Sequence, residues 1–92
     1  MILSFRNRDT ERLFSDHSVP RFQAIERVAR RKLQYLHGVT SLKDLHMQPG
    51  NRLELLRGDR AGQHSIRIND RWRICFVWLE RGVDQVEIVD YH

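Results

Sequence analysis

The chain has 92 residues, 40% hydrophobic and 30% charged, which describes one small, highly charged globule and excludes a disordered chain. A single domain over 1–92 has space for one modest core and none for a separate cofactor-binding domain. Sixteen Lys and Arg against twelve Asp and Glu leave a net charge of +4, which favours a polyanionic partner such as nucleic acid or an acidic protein.

Residues 2–5 read as a short strand. They are too few, and too soon followed by Arg6 and Arg8, for a signal peptide, and no later apolar run approaches the roughly 20 residues of a membrane span. Asp9 or Thr10 is placed to cap a short helix through Arg12, Leu13 and Phe14. The segment Asp16-His17-Ser18-Val19-Pro20 breaks it, and Pro20 opens a second helix with Ser18 as the expected cap. Phe22, Ile25, Ala29, Leu33 and Leu36 fall three or four apart and draw one apolar stripe. Arg27, Arg30 and Arg31 lie off it and predict a basic outer face, suited to RNA backbone or a protein partner and equally explained as a solvated surface. Gly38 suits the helix end, Leu42 and Leu45 tuck a connecting loop onto the core, and Pro49-Gly50 turns.

From Asn51 the period becomes two. Leu53 and Leu55 alternate with Arg52 and Glu54, Gly58-Asp59-Arg60-Ala61-Gly62 reads as a hairpin connection, and Ile66 and Ile68 alternate with Ser65 and Arg67. After Asn69-Asp70, residues Trp72, Ile74, Phe76 and Trp78 share one face, and Arg71, Arg73, Cys75 and Val77 the other. Glu80-Arg81-Gly82 turns into a last strand over residues 83–91. Four strands on short turns must be antiparallel, and two preceding helices can cover only one face of their sheet. The expected fold is α+β, ordered β-α-α-β-β-β-β, with Arg67 and Arg73 on an uncovered face.

No P-loop, nucleotide-binding glycine fingerprint, nucleophile elbow or metal-ligand spacing occurs, so no metal or cofactor is expected. Cys75 is the lone cysteine and sits in an apolar run, which permits no disulfide, fits a reducing cytoplasm and predicts a packed, inert thiol. His64 is expected half-buried and His37 and His46 solvated. Asp90-Tyr91-His92 follows directly from the last strand and groups three side chains capable of proton transfer, stacking or anion contact, although chain ends are commonly frayed.

The stretches Asn51-Arg52-Leu53-Glu54, residues 58–76 with their Trp72-Arg73 pair, and the closing Asp90-Tyr91-His92 resemble the HigB toxins of the RelE/ParE superfamily of bacterial toxin–antitoxin systems. The likeness spans essentially the whole chain. It implies a RelE-like fold and a ribosome-dependent endoribonuclease, an mRNA interferase, that cuts translated mRNA in the decoding site of the 30S subunit of the 70S ribosome without a metal. In that chemistry the 2′-hydroxyl attacks the adjacent phosphate, which needs a base, an acid and positive charge on the phosphate. Matched positions assign Arg73 to the phosphate, Tyr91 to stacking, His92 to proton transfer and Asp90 to orienting that pair, with base and acid interchangeable. Glu54 stands where some members carry histidine, and Arg57 where some carry lysine. Glu54 is a second-rank base or a surface ion-pair partner, and Arg57 can hold phosphate but cannot release a proton at neutral pH. Arg60 and Arg67 are RNA-positioning or structural. The implied partner is a HigA-type helix-turn-helix antitoxin, through which alone the toxin would reach operator DNA. Two alternatives keep the fold: a non-enzymatic, ParE-like gyrase poison, and a catalytically weak co-repressor.

Overall fold

A computed structural model describes residues 1–90; Tyr91 and His92 lie outside the described residues. The helices are α1 (Arg8–Phe14), α2 (Glu26–Gly38) and α3 (Leu42–Met47). The strands are β1 (Glu54–Leu55), β2 (His64–Arg67), β3 (Trp72–Leu79) and β4 (Gly82–Asp90), in the order β1-β2-β3-β4, all antiparallel. The α+β architecture and the strand pairing are those expected from the alternation.

The helix boundaries differ in instructive ways. Asn7 caps α1, its side-chain oxygen accepting the Thr10 N–H at 2.9 Å, in place of Asp9 or Thr10. The expected second helix begins as a 3-10 turn, Pro20–Ile25, with Val19 rather than Ser18 at its start and no side-chain cap. Val19 is buried and its carbonyl accepts the Phe22 N–H at 2.9 Å, so the apolar anchor sets the tighter turn. The connecting loop is in fact α3, capped by Ser41, whose hydroxyl accepts the Asp44 N–H at 3.2 Å. Leu45, on its inner side, is fully buried.

The apolar stripe of α2 meets the Ile66, Ile74, Phe76, Val86 and Ile88 face of the sheet, with Phe22 edge-on to Trp72 at 5.5 Å between ring centroids. Each large side chain buried there contributes about 1.5–3 kcal/mol relative to exposure.

Residues 2–5 do not form a strand of the sheet. They make two parallel bridges to β4, Ile2 with Val83 and Phe5 with Val86. Between those bridges β4 is irregular, with Gln85 in the left-handed region (φ 52°) and a register shift against β3, so no continuous ladder can run. The segment nevertheless closes the sheet edge. Leu3 N–H donates to the Val83 carbonyl at 2.7 Å, Val83 N–H to Met1 at 2.8 Å, Val86 N–H to Ser4 at 3.0 Å and Arg6 N–H to Val86 at 2.9 Å. The buried Thr10 hydroxyl completes the row by accepting the Ile88 N–H at 3.0 Å. Gly82 permits this clasp, since a Cβ there would lie 2.5 Å from the Met1 carbonyl oxygen. No described helix is long and apolar enough to cross a membrane.

Candidate active site

The second face of the sheet carries Ser65 and Arg67 from β2, Arg73 and Cys75 from β3, and Glu87 and Val89 from β4. The expectation of an uncovered arginine face is corrected here: Ser65 and Cys75 are fully buried and Arg73 is 8% exposed. A guanidinium so enclosed must satisfy its donors within the protein. Arg73 Nε donates to Ser65 Oγ at 2.7 Å, and Nη2 donates to the Arg52 carbonyl at 2.7 Å and, more weakly, to the Ser65 carbonyl at 3.4 Å. Glu54 Oε2 stands 4.0 Å from Nη2. Arg73 therefore joins β2, β3 and the turn leading to β1. Arg52 holds that turn in the left-handed region (φ 44°), which turns its carbonyl to a place where the guanidinium reaches it.

The other side of this face is closed by Glu87. Its Oε1 accepts from Arg60 at 3.0 Å and lies 3.9 Å from Arg6 Nε, while Oε2 accepts from Asn7 at 3.5 Å. Arg60 also donates to Gln63 at 3.2 Å, which makes it a strut across the sheet. Burial pushes the Cys75 thiol pKa up, consistent with an inert packed sulfur.

Glu54, Leu55, Leu56, Arg57 and Arg60 line an open cleft of 270 Å3 at the β1 edge. Leu55, 61% exposed, and Arg57 form outer walls. Among the described residues nothing hydrogen-bonds the Arg57 side chain, so it is available to an anion. At the opposite sheet edge, register places Asp90 across from Trp72, one rung from the Arg73–Val89 pair. Arg71 Nε and Nη2 donate to one oxygen of Asp90 at 2.9 and 2.8 Å, and the same guanidinium lies 5.2 Å from the Trp72 ring centroid. This bond raises the Arg71 pKa further. Arg71 was not singled out from the sequence. Its signal was its place beside Trp72 in a hairpin whose return strand ends at Asp90.

Of the expected functional residues, the structure brings Arg73 together with Glu54, and sets Asp90 against Arg71. Tyr91 and His92 lie outside the described residues. The basic residues divide into two groups. Arg27, Arg31 and Arg57 are exposed. Arg30, Arg60 and Arg67 are engaged internally. Arg30, expected on the outer face of α2, instead turns back onto the end of α1, donating to the carbonyls of Leu13 at 3.0 Å and His17 at 3.2 Å. Leu13 lies in the last turn of α1, where carbonyls lack in-helix partners, and a long cationic side chain adds a donor there. Arg67 is paired with Asp70. His64 is half-buried as expected and stacks on Phe76 at 6.0 Å. Burial lowers its pKa, and among the described residues its Nδ1 has no hydrogen-bond partner. His37, though exposed, is not merely solvated, because its Nδ1 accepts the Ile2 N–H at 3.0 Å and its ring packs on Phe14. Among the described residues no group of three or more His, Cys, Asp and Glu is gathered as a metal site.

The fold resembles that of one chain in a solved YoeB-YefM complex from Staphylococcus aureus. That chain aligns with a TM-score of 0.55 at 16% identity, covering 100% of this chain and 98% of that one. The fold class is thus RelE-like. The family model described as RelE-like toxin of type II toxin-antitoxin system HigB matches residues 3–92. The chain is 35% identical over 94 residues to Toxin HigB-1 of Vibrio cholerae, covering 100% of this chain and 98% of that protein. It is 33% identical over 95 residues to Endoribonuclease HigB of Proteus vulgaris, covering 100% of both. This chain belongs to the HigB family of type II toxins, whose counterpart is an antitoxin.

Proposed function

We propose that this toxin is an endoribonuclease that cleaves translated mRNA in the decoding site of the small ribosomal subunit. The observation that carries the reading is the buried Arg73, which has Glu54 Oε2 4.0 Å from its Nη2 and pairs across the sheet with Val89, the residue before Asp90. The activity named for the Proteus vulgaris relative supports it. A base takes the 2′-hydroxyl proton, the 2′-oxygen bonds to phosphorus, the bond to the 5′-oxygen breaks, and an acid protonates that oxygen. The products are a cyclic phosphate and a 5′-hydroxyl. His92 moves one proton, Tyr91 stacks on the base beside the cut, and Glu54 is the second-rank proton acceptor. Arg73 supplies positive charge that needs little reorganisation as charge builds on the phosphate, since Ser65 and the Arg52 carbonyl already hold it. Asp90, held by Arg71, orients the terminal pair. Arg57, in the cleft wall, takes the RNA backbone. The partner is a small helix-turn-helix antitoxin in the cytoplasm, and operator DNA is reached only through that complex.

Primer extension on a translated message after induction tests the proposal. New 5′ ends within the reading frame, lost in Tyr91→Ala and in the chain lacking His92 at matched protein levels, are the expected result. Intact messages accompanied by double-strand DNA breaks refute it.

A further inference from the structure

A second cleft adjoins the turn at Asn51 and Arg52. It measures 330 Å3 and is lined by Arg31, Lys32, Tyr35, Gln48, Gly50 and Asn51. Lys32 Nζ donates to the Gly50 carbonyl at 3.3 Å and to the Arg67 carbonyl, which fixes an ammonium in the cleft wall. Burial lowers the Lys32 pKa, and Arg31, Arg67 and Arg73 lower it further, so this corner of the surface has an excess of positive charge. Tyr35 is 38% exposed, with its hydroxyl tied loosely to the Asp44 carbonyl at 3.5 Å. Arg27, Arg31 and Tyr35 succeed one another four residues apart on α2, so two exposed guanidinium groups and an aromatic ring share one helix face.

We propose that this cleft is a second RNA site, which takes one unpaired nucleotide of a structured RNA at a distance from the bond that is cut. Its phosphate pairs with Arg31 and Lys32, its base stacks on Tyr35, and the Gln48 side-chain amide meets the base edge. Stacking on an aromatic side chain beside fixed cations is the usual way a single-stranded base is held. The chemistry of the lining favours a nucleotide over a protein segment, since fixed cations stand beside an aromatic ring, and the 330 Å3 of the cleft is on the scale of small-ligand pockets, which begin at roughly 300 Å3. The inference rests on the RNA reading above and adds a docking contact that leaves the chemistry elsewhere.

The test is binding of adenosine monophosphate to the purified full-length toxin, followed by backbone amide NMR shifts. Saturable shifts at residues 31–35 and 48–51 are expected. Tyr35→Leu should weaken binding about tenfold, from the known worth of base stacking, while Tyr35→Phe keeps the ring and retains affinity. Arg31→Ala should weaken it as well. Three results overturn the proposal: equal affinity in Tyr35→Leu, the same shift pattern from inorganic phosphate alone, or the same pattern from a hexaglutamate peptide at lower concentration. Since no bond is broken in this assay, nucleotide binding without message cleavage would sink only the endonuclease reading. Message cleavage without nucleotide binding would sink only this one.

Discussion

Thr10→Val isolates one hydrogen bond on which the approach to the candidate site depends. The Thr10 side chain is fully buried and its hydroxyl accepts the Ile88 N–H at 3.0 Å. Ile88 is two residues before Asp90, on the edge of the sheet that residues 1–6 otherwise close. Valine reproduces the shape of threonine without the acceptor, so packing is nearly unchanged while a buried amide is left unpaired. That penalty is about 1–3 kcal/mol, a large part of the roughly 5–15 kcal/mol available to such a domain. For a domain of this size, Tm falls by about 4–8 °C per kcal/mol, so a loss of about 4–24 °C is expected. Thr10→Ser keeps the acceptor and loses one methyl group, worth about 1 kcal/mol. Thermal and urea denaturation should rank the wild type above Thr10→Ser and Thr10→Val lowest, with unchanged m-values, and the Ile88 amide should exchange faster with solvent in Thr10→Val. If Thr10→Val is as stable as Thr10→Ser, the hydroxyl does not close the strand edge and the reasoning is wrong.

Gly82→Ala should be more damaging, because φ is 157° and the new Cβ would meet the Met1 carbonyl at 2.5 Å and Leu3 Cγ at 2.9 Å. Strain and overpacking together predict a loss of about 2–5 kcal/mol in denaturant titrations. Arg71→Ala removes one partner of Asp90 from a solvent-exposed position and should lower message cleavage with Tm unchanged; a parallel fall in both would assign the pair a folding role only. Burial disfavours the charged form of His64, so its folded pKa lies below the unfolded value of about 6.5. The unfolded chain therefore takes up the proton first, and stability falls as pH drops from about 6.5 through the lower folded value, with no contribution above. In His64→Phe this part of the acid slope should disappear from stability measured between pH 7 and 5. Thiol alkylation of folded protein at pH 7 should be slow at Cys75 and become fast on unfolding, because the sulfur is buried and its pKa raised.

The amino-acid sequence by itself determined the class of fold. The period-two alternation of residues 64–78 set the pairing of β2 and β3, and the stripe from Phe22 to Leu36 set the face that α2 lays on them, because side-chain periodicity responds to a buried face whatever lies on the other side of it. Family membership was legible too, carried by the residue 58–76 stretch and the terminal Asp90-Tyr91-His92. What only the tertiary structure decided was the use made of each cation. Arg27, Arg30 and Arg31 look alike in sequence, yet Arg30 is drawn to the carbonyls of Leu13 and His17 while Arg27 and Arg31 remain in solvent. Arg73 reads as an exposed sheet arginine until the left-handed turn at Arg52 brings a carbonyl over it. The pairing of Arg71 with Asp90 spans 19 residues and exists only through the β3–β4 register. Alternation records which side of a strand a residue takes, whereas the partner that satisfies a buried charge comes from distant chain, and its position is fixed only when the whole molecule has closed.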